Sequence, residues 1–196
     1  VLSFPAADYL SPYQVLIWFD EFLLEPGNTE CQILADWLVS GDKSLFVTGI
    51  DFLWDLENGT PGQGEHNLYL LLHAEYLDDY AGGGISTLEG VSGDFIGGDF
   101  APPASLGLAG TPDSNGDYAD ETVGAPTGLL YGSGGTGSTH SGLTHYEGSN
   151  YKTVWLGVNF HNGLTSQAER NLLMENILGF FAGGADVPWL SEEPTS

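Results

Sequence analysis

The sequence predicts an α/β domain: a three-layer sandwich with a mainly parallel sheet and a Gly-rich insertion of short strands and loops. Three observations predict it. Two continuous apolar runs, Tyr13–Phe19 and Ser44–Gly49, flank a segment with helical spacing. A third run, Lys152–Val158, precedes a second helical segment. Between them, residues 82–148 are crowded with Gly, Ser, Thr and Pro around scattered aromatic and aliphatic residues. Short, wholly apolar runs suit strands buried on both faces, the condition of parallel strands covered by helices.

Tyr13-Gln14-Val15-Leu16-Ile17-Trp18-Phe19 is bounded by Pro12 and Asp20 and reads as the first buried strand. Pro26-Gly27-Asn28 breaks the chain. Thr29-Glu30-Cys31-Gln32 has capping-box form, with Gln32 able to reach back to the cap. Ile33, Leu34, Trp37 and Leu38 follow at helical spacing, and Gly41 supplies the stop. Ser44–Gly49 is the second strand. Strand, capped helix and strand in so short a stretch make a right-handed βαβ unit.

A second helix is expected over Asn67–Tyr76, with Leu68, Leu71, Leu72 and Glu75. The Gly-rich stretch 82–148 is expected as short strands and surface loops on the α/β core. A disordered insert is disfavoured because Phe95, Phe100, Leu106, Leu108 and Tyr118 are spread through it. After the strand Lys152–Val158, Thr165 or Ser166 caps a long helix, with Ser166-Gln167-Ala168-Glu169 as a second capping box. Leu172, Leu173, Ile177, Leu178 and Phe181 form its apolar face, and Gly183-Gly184 ends it. No internal repeat is visible, and residues 186–196 read as a linker.

The chain has 196 residues, enough for one α/β domain with a full core. Its 3 Lys+Arg against 27 Asp+Glu give a formal net charge of -24 at pH 7. That excludes nucleic-acid binding by phosphate neutralisation, and a polybasic membrane anchor, because there is almost no cation to supply either. A lone cysteine, Cys31, excludes an intrachain disulfide framework and a Cys-rich zinc module. With 41% apolar and 12% aromatic residues the chain is a folded domain, and no apolar run is long enough for membrane insertion. A surface so acidic suits a salty medium, and trypsin-like proteases would meet only Lys43, Lys152 and Arg170. Both features point to a secreted or cell-surface setting, with an acidic cytosolic protein as the alternative.

Candidate chemistry is sparse. Cys31 falls in the first turn of a helix, where it packs as a small hydrophobe; no Gly-x-Ser-x-Gly elbow is present, so no catalytic residue is expected. The histidines His66, His73, His140, His145 and His161 show no His-Glu-x-x-His spacing. His140 and His145 are expected in a Gly/Ser loop, and His73 on its helix. His161 follows a strand end, the usual place of a ligand crevice in an open α/β sheet, and would neighbour Asp20, Asp51 and Gly49. That crevice is either the vestige of an active site or a set of polar loop ends.

Asp113-Ser114-Asn115-Gly116-Asp117 carries oxygens at alternate positions, as the first half of a calcium loop does. Asp113, Asn115, Asp117 and Glu121 are therefore the candidate metal set, with calcium the one cofactor in view. Tyr118 stands where the pattern wants Gly, Gly124 stands where it wants a bidentate Glu, and an ordinary Asx-rich turn explains the same residues. Gly132-Ser133-Gly134-Gly135-Thr136-Gly137 has the look of a phosphate loop but is followed by no Lys, and reads as a flexible loop.

The run Tyr13–Phe19, the helix end Asp36-Trp37-Leu38, and Leu45-Phe46-Val47-Thr48-Gly49-Ile50-Asp51 together resemble a secreted bacterial domain related to class I glutamine amidotransferases. Leu72–Asp79, Tyr118–Glu121 and Tyr151–Gly157 extend the resemblance, which runs from about Tyr13 to Phe181. It implies a flavodoxin-like accessory domain over residues 1–185. Such domains begin with one more strand and helix than precede Tyr13 here. Pro188–Ser196 resembles the opening of an immunoglobulin-like β-sandwich module. The resemblance thus implies a piece of a longer polypeptide and a sheet with an open edge, filled by further sequence or by a partner chain. The function it implies is a non-catalytic accessory or structural domain acting in assembly, adhesion or module presentation, with other modules or neighbouring subunits as partners. Two alternatives stand beside it: a filament subunit assembling by strand addition, and a hydrolase using carboxylates near Asp20 and Asp51.

Overall fold

The structure, a computed structural model, describes residues 7–19, 27–79, 86–109, 117–120, 126–132 and 140–184. A short helix α1 (Ala7–Leu10) leads into β1 (Val15–Phe19), α2 (Asn28–Val39), β2 (Lys43–Thr48), α3 (Phe52–Glu57) and α4 (Gly64–Leu72). Then come β3 (Tyr76–Asp79), β4 (Thr87–Gly90), a 3-10 turn (Gly98–Phe100), β5 (Leu106–Gly107) and β6 (Asp117–Asp120). The chain closes with β7 (Thr127–Tyr131), β8 (His140–Glu147), β9 (Tyr151–Leu156) and α5 (Gln167–Phe181).

Among the described residues one nine-stranded sheet runs β1-β2-β9-β8-β7-β4-β5, with β6 on β8 and β3 on β6. The α/β class holds. Parallel pairing, expected through most of the sheet, is confined among the described strands to β1–β2 and β2–β9. From β8 onward the pairs are antiparallel. The reason is local: a few residues join β8 to β9, too short for a crossover, so they close as a hairpin.

Side-chain alternation on β2 and β9 splits the core in two. Leu45, Val47 and Trp155 face a cluster with Leu34 and Leu38 of α2, Leu53 of α3 and Leu68 of α4. Phe46, Val154 and Leu156 face the other way, toward Leu173 and Ile177 of α5. Helices thus cover both faces in the middle of the sheet. At the α2–α4 contact, Gly64 approaches the α2 backbone so closely that a Cβ would collide with the Asn28 carbonyl and the Gln32 amide. The Asn67 side-chain amide donates to Gln32 Oε1 across the same contact, at 2.8 Å.

Several expected boundaries move. Helix α2 starts at Asn28 behind Gly27 and has no side-chain cap; Gln32 instead donates to Asp36 at 2.8 Å and accepts from Asn67. Ser166 caps α5 as expected, its Oγ accepting from the Glu169 amide at 3.3 Å. Glu169 does not reach back to close the box: its carboxylate accepts from the Gly107 amide. Helix α4 stops at Leu72, because His73 takes a left-handed conformation (φ 55°) that turns the chain toward β3. His140 and His145 lie on β8 instead of in a loop. The linker 186–196 lies outside the described residues.

Candidate functional site

At the C-terminal ends of the parallel strands, Thr48 Oγ1 donates to the Val158 carbonyl at 2.5 Å and ties the β2 and β9 ends together. Three residues on, Asp51 sits at φ 60°, ψ -3° and opens α3. A left-handed residue between a strand and a helix lifts its side chain off the end of a sheet, the geometry of an elbow, though Asp tolerates that conformation better than most. On the β9 side, buried Asn159 accepts the amides of His161 and Asn162 at 2.9 and 3.0 Å. This Asx turn leaves His161 exposed. Asp51 and His161 therefore share one end of the sheet on adjacent loops, as expected; Asp20 lies outside the described residues.

The outer strand β1 presents a different kind of site. Leu16 and Trp18 pack toward the α2 side. Val15, Ile17 and Phe19 point to the other face and remain 36%, 38% and 46% exposed. Phe19 meets Phe46 and Phe160, with ring centroids 6.3 and 5.7 Å apart, but the row as a whole is left uncovered among the described residues. Within that same set β1 pairs only with β2. Lys43 anchors the entry to the strand by donating to the Ser11 and Tyr13 carbonyls at 2.9 and 2.8 Å.

Two further clusters carry no motif in the sequence: the first joins residues far apart in the chain, and the second depends on where α4 ends. His145 Nε2 lies 2.6 Å from Asp94 Oδ2, and the other oxygen of Asp94 accepts the amides of Ile96 and Gly97. Burial pushes the Asp94 carboxyl up, but the hydrogen bonds from His145 and the two amides outweigh it and hold the group below its ordinary range. The second cluster lines a cavity of about 460 Å³ beside α4. Glu57 ends α3, His66, Tyr69 and Leu70 come from α4, and the turn into β3 adds His73, Ala74 and Glu75. The His73 ring stacks on Tyr146 with centroids 3.6 Å apart and hydrogen-bonds the Tyr151 hydroxyl at 2.9 Å.

Of the candidate calcium residues, Asp113, Asn115 and Glu121 lie outside the described residues, and Asp117 is placed only as the first residue of β6. Among the described residues no group of three or more His, Cys, Asp or Glu side chains could hold a metal ion. Cys31 is fully buried in the α2 core, where burial first, and then the charges of Glu65 and Glu30, push its thiol up to about 12. No described helix is long and apolar enough to cross a membrane.

No family model matches the chain, and no curated protein matches it. Among solved structures it is similar to a cytoplasmic protein from Salmonella typhimurium, with a TM-score of 0.57 and 18% identity over 91% of this chain and 76% of that one. At that identity the likeness speaks to the fold. The neighbour's cytoplasmic description runs against the secreted, cell-surface setting expected from the charge, and that expectation is withdrawn. Its physical basis was weak: a large net charge keeps a protein soluble in any compartment.

Proposed function

We propose that the chain is a non-catalytic assembly module that receives an added strand at the outer edge of β1. The apolar row Val15, Ile17 and Phe19 on that edge carries the reading. Among the described residues β1 pairs on one side only, and an edge strand with apolar side chains at alternate positions is a template for strand addition. The occupant we infer is an extended segment of another module or subunit, apolar at every second residue and flanked by Lys or Arg. Charge supports this choice over a second copy, since two chains at -24 repel each other. The parallel β1-β2-β9 core with helices on both faces supports a flavodoxin-like domain related to class I glutamine amidotransferases as its scaffold.

The test is a titration with a fluorescent heptapeptide in which Val alternates with Lys. Saturable binding that disappears in Ile17→Lys supports the reading. Binding unchanged in Ile17→Lys contradicts it, as does a chain that forms filaments without any peptide. Ile17 is exposed enough for the lysine to leave the core intact.

A second reading, hydrolysis at the strand ends, has one specific observation in its favour: the left-handed backbone of Asp51 between β2 and α3. It predicts turnover of activated esters that is lost in Asp51→Asn and in His161→Gln alike.

A further inference from the structure

We propose that the cavity beside α4 binds a small organic ammonium, its apolar body against Leu70, Ala74 and the Tyr69 ring and its charged head toward Glu57 and Glu75. The cavity, at about 460 Å³, lies in the range of sites that take small molecules. Its lining carries two carboxylates and no Lys or Arg. The three cationic side chains of the chain are engaged elsewhere. Lys43 holds the Ser11 and Tyr13 carbonyls, Lys152 holds Glu147 and the Phe180 carbonyl, and Arg170 holds the Leu164 carbonyl and Gln167. No Lys or Arg therefore sits beside the negative charge of the pocket.

Two rings of the wall, Tyr69 and His73, are held by contacts within the chain. Tyr69 Oη accepts the Tyr76 amide at 3.1 Å, which sets the ring. Burial raises the Tyr69 phenol, and the charges of both Glu57 and Glu75 reach it, so the two carboxylates bear on one aromatic ring. An ammonium held near an aromatic ring and a carboxylate gains from both. His73 is clamped by Tyr146 and Tyr151, and burial lowers its pKa, so at pH 7 it adds no competing positive charge. A bare metal ion fits less well, because no metal-holding group of side chains converges here among the described residues. This site is separate from β1 and does not depend on what docks there.

The experiment titrates the full chain at pH 7.5 and low salt with phenethylammonium, 2-phenylethanol and phenylacetate, read by calorimetry and by methyl shifts in the NMR spectrum. The ammonium should bind about tenfold more tightly than the alcohol, the advantage two part-solvated carboxylates can give. Phenylacetate should bind more weakly than either, and the shifts should centre on Leu70 and Ala74. The doubly substituted Glu57→Gln, Glu75→Gln chain should bind ammonium and alcohol alike; both positions are exposed, so the core is untouched. Equal affinities for the three probes in the unsubstituted chain overturn the proposal. So does an ammonium preference that survives the double substitution, or a set of shifts outside residues 52–79.

Discussion

The imidazole of His145 and the carboxylate of Asp94 meet at 2.6 Å although 51 residues separate them, and this contact fastens the loop after β4 to the middle of β8. Asp94 also organises its own loop through the Ile96 and Gly97 amides. The His145 ring in turn lies edge-on to Phe180 of α5, centroids 5.0 Å apart. One carboxylate thereby joins a loop, a strand and a helix around the α5 face of the core.

Replacing Asp94 by Asn keeps an acceptor for the two amides and removes the charge-assisted bond. Urea unfolding at pH 7 should show a loss of about 1–3 kcal/mol with an unchanged slope. The pH dependence has a definite sign. The folded pKa of Asp94 is below its ordinary 3.8, so the stabilisation is complete above that value and is lost as pH falls through the folded pKa. The gap between the parent and Asp94→Asn should therefore narrow only in strong acid.

His73 gives the opposite window. Burial lowers its folded pKa below the ordinary 6.5, so the unfolded chain takes up a proton first as pH drops. Its contribution is neutral well above pH 6.5 and turns destabilising as pH falls below it. His73→Gln should flatten the stability loss measured between pH 7.5 and pH 5.5, relative to the parent chain.

Cys31 is expected to be inert while the chain is folded. With its thiol near 12, the thiolate fraction at pH 8 is about a thousandfold below that of an unperturbed thiol, and the side chain is fully buried besides. Labelling by dithiobis(nitrobenzoic acid) should be slower than in 8 M urea by about that factor or more. Fast labelling of the native protein would mean that α2 opens readily.

Gly64→Ala places a methyl group against the Asn28 carbonyl and the Gln32 amide of α2. Backbone cannot step aside as a flexible side chain can. The cost should reach the upper end of the about 1–3 kcal/mol range typical of overpacking, seen as a lower Tm. Gly41→Ala is the control: its Cβ would meet nothing, and only its φ of 109° would be strained.

What the sequence made legible was the part governed by local rules. The apolar runs of β1, β2 and β9, the amphipathic spacing of α2, and Ser166 as the cap of α5 all follow from neighbours in the chain. Helix α3 escaped because Phe52–Glu57 is only six residues and follows a left-handed Asp that no spacing announces. Strand β8, His-Ser-Gly-Leu-Thr-His-Tyr-Glu, escaped because its small residues make room for others: a Cβ on Gly142 would press into Leu88 and Tyr131. With β8 unseen, the antiparallel half of the sheet and the Asp94–His145 pair were unseen too. Asp51 and His161 could be placed together because strand ends follow from strand order. The cavity beside α4 could not, since it depends on where α4 stops, and His73 ends that helix without a glycine.

The measurement that bears most directly on the assembly role is amide hydrogen exchange across β1, with and without the alternating Val/Lys peptide. Alternate amides of Val15–Phe19 face away from β2 and should exchange quickly in the free chain, then gain protection when the peptide is bound. Protection gained there and lost in Ile17→Lys is the predicted result. Outward amides of β1 that are already protected in the free chain, or peptide-induced protection confined to other strands, would contradict it.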